Sequence, residues 1–230
     1  MANLTIIGDS FSKWKGINEK SEDKKTYLEL LFDDFNVMNF SNNVVGPQYI
    51  IEKLNNNYVN DENLDYLFIV FPDSDRIHFD YLEHDDAQLP LRTWKTSVGK
   101  SMDNLSEIEK KYVEDVSSFR STSLNKILPT LYINYILTFC NLYKKILIWP
   151  TQPLNVNLKI PVPENCFIVD KCLNHTSTEE MVYDEVISFK DSRNNHLSES
   201  NHILLYNFIK SFFMNDNRKI PFFKKEINND

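Results

Sequence analysis

Short apolar runs separated by amphipathic stretches organise the chain. Residues 66–71 (YLFIVF) form a continuous apolar run closed by Pro72, Asp73 and Ser74, the pattern of a central strand buried on both faces. Residues 4–7 end at Gly8 and read as a second buried strand; 36–40, 145–149 and 166–169 are further strand candidates, with Pro150 and Pro153 closing the fourth. Between them lie helical patterns. Residues 24–32 put Tyr27, Leu28, Leu31 and Phe32 on one face, and 48–54 follow Pro47, which suits a first helical turn. Residues 124–142 carry Leu124, Ile127, Leu128, Leu131, Tyr135 and Leu142 at helical spacing, and 200–213 turn Ile203, Leu204, Phe208 and Phe212 inward. Residues 77–122 are polar and irregular apart from a charged helix around 105–119, and read as an insertion beside the core of one domain spanning 1–230.

Alternating strands and helices predict an α/β domain: a five-stranded, mainly parallel sheet of order 2-1-3-4-5, covered on both faces, with runs 4–7 and 66–71 adjacent at its centre. Ligands of such sheets bind beyond the carboxyl ends of the strands. Gly8-Asp9-Ser10, residues 42–46, Asp73-Ser74 and the stretch around His196 all follow strands or precede a helix. Four segments remote in sequence are thus expected along one edge.

Composition narrows the function classes. A formal charge of −8 argues against phosphate-backbone binding as the main task, so nucleic acid is not an expected partner. No run approaches the roughly 18 apolar residues of a membrane span, and Met1 leads into a strand without a basic leader, so the expected site of synthesis is the cytoplasm. Cys140, Cys166 and Cys172 form no C-x-x-C pair and read as buried thiols; neither a metal site nor a cofactor is expected. The chain has 27 Asn against 4 Gly, which suits an AT-rich coding genome and is compatible with a virus or phage of an AT-rich host.

The segment Ile6-Ile7-Gly8-Asp9-Ser10-Phe11-Ser12 resembles the first block of SGNH (GDSL-type) hydrolases, in which a strand ends in Gly-Asp-Ser and the serine is the nucleophile. His196-Leu197-Ser198-Glu199-Ser200-Asn201-His202 resembles the family's last block, where the catalytic histidine precedes a polar turn and a helix. The resemblance runs in order from residue 4 to 213 and implies a three-layer α/β/α, flavodoxin-like fold. It also implies roles. Ser10 would be the nucleophile, His196 its general base, and the oxyanion would be held by backbone N–H groups of Ser10 and Gly46 with Ser74 as a further donor. Asn43, Asp73 and Arg76 are candidate substrate contacts, and a small-molecule or carbohydrate ester is the implied substrate. Of the remaining histidines, His78, His84 and His175 lie in polar stretches, and His202 is expected to stack on or cap the last helix.

Two blocks depart from the family pattern. Phe71-Pro72-Asp73-Ser74 stands where the family has Gly-x-Asn-Asp, so the oxyanion asparagine is missing, and an ionised Asp73 would repel the developing charge. Arg193 occupies the place of the acid three residues before the histidine; Asp191 could reach the imidazole only if 191–195 bulges, and otherwise a backbone carbonyl must orient the ring. Each motif also has a plain structural reading: Gly-Asp-Ser and Gly46 as turns, Ser198 with Asn201 as a helix cap. A metal-independent serine esterase and a catalytically degraded binding or structural module of the same fold are therefore both open. A nucleotide-binding module is disfavoured by the lack of a Gly-rich phosphate loop.

Overall fold

The computed structural model describes residues 1–9, 12, 26–42, 45–58, 64–72, 111, 122–151, 154, 156, 158, 160–170, 173 and 199–220. Five strands, β1 (Ala2–Gly8), β2 (Phe35–Asn39), β3 (Tyr66–Phe71), β4 (Lys145–Pro150) and β5 (Cys166–Ile168), form one sheet of order β2-β1-β3-β4-β5. Every pairing is parallel. In register, Leu4 faces Val37 on one side and Tyr66 on the other, and Ile146 faces Cys166. The order and the central β1–β3 pair are those expected for a doubly wound sheet built from these runs.

Helices α1 (Tyr27–Leu31), α2 (Pro47–Tyr58), α3 (Thr122–Leu137) and α4 (Glu199–Asn215) cover both faces. Strand side chains alternate between two cores. Leu4, Ile6, Phe68, Val70, Leu147 and Trp149 pack with α1 and α4, whereas Ile7, Leu67, Ile69, Phe71, Ile146 and Ile148 pack with α2 and α3. All twelve of these strand side chains are buried, which is why the strands read as unbroken apolar runs.

Local chemistry sets the helix positions. Thr26 opens α1 with a reciprocal cap: its hydroxyl accepts the Glu29 N–H at 3.2 Å, and the Glu29 carboxylate accepts the Thr26 N–H at 2.6 Å. Tyr206 and Lys210 of α4 both hold Asp34 in the turn leading to β2, the Lys210–Asp34 ion pair closing at 2.7 Å. Burial pushes the Asp34 carboxyl up, but the hydrogen bonds from Lys210 and Tyr206 and the lysine charge outweigh it, so its pKa falls below the ordinary value. At the other end of α4, Lys145 Nζ donates to the carbonyls of Phe212 and Phe213 at 3.0 and 3.1 Å, satisfying groups that the helix itself leaves open.

Several sequence expectations are corrected in detail. α3 ends at Leu137 and a 3₁₀ turn, Cys140–Leu142, follows, where one helix to 142 was expected. Its inward face is Ile133, Ile136 and Leu137; Ile127, Leu131 and Tyr135 are 50%, 55% and 40% exposed. In α4 the buried stripe is Leu205, Phe208, Ile209, Phe212 and Phe213, while Ile203 is exposed. Both helices are apolar almost all round, so periodicity alone left two faces eligible. Phe32, expected inside, is the C-cap of α1 and is exposed. Between β4 and β5 no helix is described; Leu154, Val156 and Leu158 pack at alternate positions on the α2–α3 core, covering part of the face that a crossover helix would cover. The expected insertion at 77–122 lies outside the described residues except for Lys111, which is helical, and Thr122, which begins α3. No helix among the described residues is long and apolar enough to cross a membrane.

Candidate functional site

The strand order reverses direction at β1. β2 lies on one side and β3 on the other, so the carboxyl ends of β1 and β3 mark the switch point at which ligands of such sheets bind. β1 closes there with Gly8, whose place is sterically fixed. A Cβ at Gly8 would stand 2.2 Å from Ser12 Oγ, 2.7 Å from Val70 Cβ and 3.0 Å from the Val70 carbonyl oxygen of β3. Asp9 follows, fully buried. Its carbonyl accepts both the N–H and the hydroxyl of Ser12, at 3.0 and 3.1 Å, so the chain turns back immediately after the strand.

The segment after β2 is fastened to this turn. Asn39 Nδ2 donates to the Ser12 carbonyl at 2.8 Å, the Asn42 N–H donates to the Gly8 carbonyl at 3.0 Å, and Tyr49 Oη donates to the Phe40 carbonyl at 2.6 Å. Burial pushes the Tyr49 phenol up to about 12, with the Glu52 charge adding to it, so this hydroxyl stays a donor. Gly46 is buried and its carbonyl accepts the Tyr49 N–H, closing the first turn of α2 around Pro47. Gly46 thus turns the chain into a helix at the carboxyl edge. Ser41 Oγ and Gln48 Oε1 on the same stretch are shielded from solvent with no hydrogen-bond partner among the described residues.

Further along the edge, the Phe71 carbonyl of β3 accepts the N–H and the hydroxyl of buried Thr151 beyond β4, at 2.9 and 3.2 Å. The last helix reaches the same edge. The Phe213 ring near its end stacks on Tyr66 at the start of β3 with centroids 5.0 Å apart, so α4 runs against the strands and begins at their carboxyl ends. Its first turns carry Asn201 and His202, both buried. The His202 ring stacks on Tyr27 at 5.7 Å, and Nδ1 accepts the Tyr27 N–H at 3.5 Å. His202 was expected to stack on or cap the last helix, its own; instead its ring stacks on, and its Nδ1 caps, the first residue of α1.

The predicted site residues divide sharply. Gly46 is described and stands at the carboxyl edge as expected. Ser10, Asn43, Asp73, Ser74, Arg76, Asp191 and His196 lie outside the described residues, as do Arg193 and Ser198. Their described neighbours in sequence are Asp9 and Ser12, Asn42 and Val45, Pro72, and Glu199. Of the seven buried polar side chains among the described residues, Asp9, Ser12, Thr26, Thr151, Asn201 and His202 belong to segments at this edge, and Thr5 lies within a strand. Burying polar groups is costly unless they are bonded, and Ser12, Thr26, Thr151 and His202 are bonded to nearby backbone groups, which fastens this edge together. Sequence reasoning missed Thr151 and the anchoring role of Ser12 and Asn39; a polar residue directly after an apolar strand run was the available signal. No group of three or more metal-ligating side chains occurs among the described residues. Comparison with protein-family models, curated proteins and solved structures returns no match for this chain.

Proposed function

We propose that the chain is a serine ester hydrolase of the SGNH type, with the three-layer flavodoxin-like fold that the resemblance implies. The observation that carries this reading is the termination of β1 at Gly8, at the switch point between β1 and β3 and two residues before Ser10. In the proposed reaction Ser10 Oγ attacks the ester carbonyl while His196 takes its proton, and the N–H groups of Ser10 and Gly46, with the Ser74 hydroxyl, hold the oxyanion. The alcohol leaves with a proton from His196, and water then resolves the acyl-enzyme by the reverse sequence. Asp191 or a backbone carbonyl would orient the imidazole. Asn43, Asp73 and Arg76 would contact the substrate, for which small acyl groups on carbohydrates are the implied class.

Asp73 in place of an oxyanion asparagine and Arg193 in place of the acid favour a second reading, a binding or structural module that keeps the fold without the catalysis. Hydrolysis of a short-chain aryl ester separates the two. The esterase reading expects measurable turnover that Ser10→Ala and His196→Ala reduce to a similar extent, because coupled catalytic groups act as a unit. It also expects a gain from Arg193→Asp or Asp73→Asn. Parent activity equal to that of Ser10→Ala, with no gain from either restoration, would leave the binding module as the account.

A further inference from the structure

At the opposite, amino edge of the sheet two buried thiols meet. Cys140 opens the 3₁₀ turn between α3 and β4, and Cys166 is the first residue of β5. Both belong to the α2–α3 core and both are 1% exposed. The backbone around them is fixed by Asn165, whose side-chain amide donates to the Cys140 carbonyl at 2.8 Å and to the Tyr143 carbonyl at 2.9 Å. On the β5 side the Ile146 N–H donates to the Asn165 carbonyl at 2.8 Å, and the Cys166 N–H donates to the Pro163 carbonyl at 2.9 Å. Each thiol is perturbed chiefly by the other across this core. A disulfide requires two cysteines already held side by side with their backbones fixed, and here one asparagine next to Cys166 does the holding.

We propose that Cys140 and Cys166 are a latent disulfide, a modification site that a small-molecule disulfide closes into an intrachain bond. The first step is attack of the Cys140 sulfur, as thiolate, on one sulfur of the oxidant, which forms a mixed disulfide and expels one thiolate that takes up the Cys140 proton. In the second, Cys166 loses its proton and attacks the Cys140 sulfur, expelling the second thiol. Two electrons pass from the protein to the oxidant, and two protons leave with the two released thiols. The neighbouring Cys166 draws the Cys140 thiol down, while Cys140 and burial push Cys166 up. Among the described residues β5 is a three-residue strand paired only with β4 at the sheet edge, the place where local opening would admit the oxidant. The resulting bond staples that edge strand to the turn that feeds β4.

The test is thiol counting on the folded full chain. The protein is incubated with oxidised glutathione, quenched in acid, unfolded, alkylated and mass-analysed, with Cys172→Ala treated in parallel. The expected product has lost two of its three alkylatable thiols and two hydrogens, carries no glutathione, joins the Cys140 and Cys166 peptides, and forms equally in Cys172→Ala. Cys140→Ala should abolish it. A bond to Cys172, a mixed disulfide that persists at Cys140 or Cys166, or three free thiols after a time in which the urea-unfolded chain oxidises would each overturn the proposal.

Discussion

Replacing Gly8 by alanine tests the geometry on which the site rests, because the perturbation is a single methyl group at a place where the structure has no room. The new Cβ would stand 2.7 Å from Val70 Cβ and 3.0 Å from the Val70 carbonyl. Val70 is fully buried in β3, which is paired on both sides, so neither atom can move without shifting the centre of the sheet. The third contact, Ser12 Oγ at 2.2 Å, can be relieved by rotating the hydroxyl, but that gives up its bond to the Asp9 carbonyl. Overpacking of this kind costs about 1–3 kcal/mol, and the lost hydrogen bond about 1 kcal/mol more. Against this, alanine restricts the unfolded chain and returns roughly 0.4–1 kcal/mol. The expected net loss is about 1–4 kcal/mol, read as a lower urea midpoint with an unchanged slope. A loss under about 0.5 kcal/mol, the ordinary range for a surface change, would refute the close β1–β3 approach at this residue.

The remaining expectations concern the supports of the fold. Asn165→Ala removes both side-chain bonds to the Cys140 and Tyr143 carbonyls and should cost about 1–3 kcal/mol by urea unfolding; it should also slow closure of the Cys140–Cys166 bond. Trp149→Ala empties the α1–α4 core beside Phe208 and should cost about 3–5 kcal/mol, measurable as a fall in Tm. Asp34 has a folded pKa below its unfolded value, so its contribution is present above the unfolded pKa and is lost as pH falls through the folded one. Wild type and Asp34→Asn should therefore differ by at most about 1 kcal/mol near neutrality, the pair being partly exposed, and converge in acid. A difference that persists unchanged at low pH would contradict the assignment.

The sheet was legible in the sequence because buried parallel strands leave continuous apolar runs, and 66–71 and 4–7 are unambiguous examples. Helices alternating with those runs made a parallel sheet legible, whereas the strand order came from the doubly wound topology expected of such a chain. Helix faces were less legible. Ile127, Leu131 and Tyr135 keep as regular a spacing as Ile133, Ile136 and Leu137, and only packing against the sheet selects the second set. The candidate site was legible only as motif. A polar turn has no period, so nothing in the local pattern of Gly-Asp-Ser separates a catalytic turn from a plain one; the steric need for glycine opposite Val70 is a long-range fact that appears only when β1 and β3 pair. Thr151 and Asn39 escaped notice for the same reason, since their partners are Phe71 and Ser12.

The two edges of the sheet differ in a way that bears on where chemistry belongs. Return connections at the amino edge are short: 32–34 leads into β2, 59–65 into β3 and 138–144 into β4. They are held by specific pairs, such as the Asp65 carboxylate, which takes the Asn3 N–H at 2.9 Å and the Lys144 ammonium at 2.6 Å and has its pKa drawn down by both. At the carboxyl edge 40–46 after β2 is as short as the amino-edge returns, whereas the stretches between described elements are longer after β1 (9–26), β3 (72–121) and β5 (169–198). Closure entropy grows only with the logarithm of length, so a rigid sheet tolerates long connections at little extra cost. Ser10, Ser74 and His196 each fall in one of these three connections, and no proposed catalytic group falls in an amino-edge turn. A sheet clamped at one edge with long connections at the other accords with the proposed site, whose groups come from several connections. Under that proposal, substitutions at the amino edge, Asp65→Asn among them, are expected to lower stability while leaving the proposed ester turnover per folded molecule unchanged.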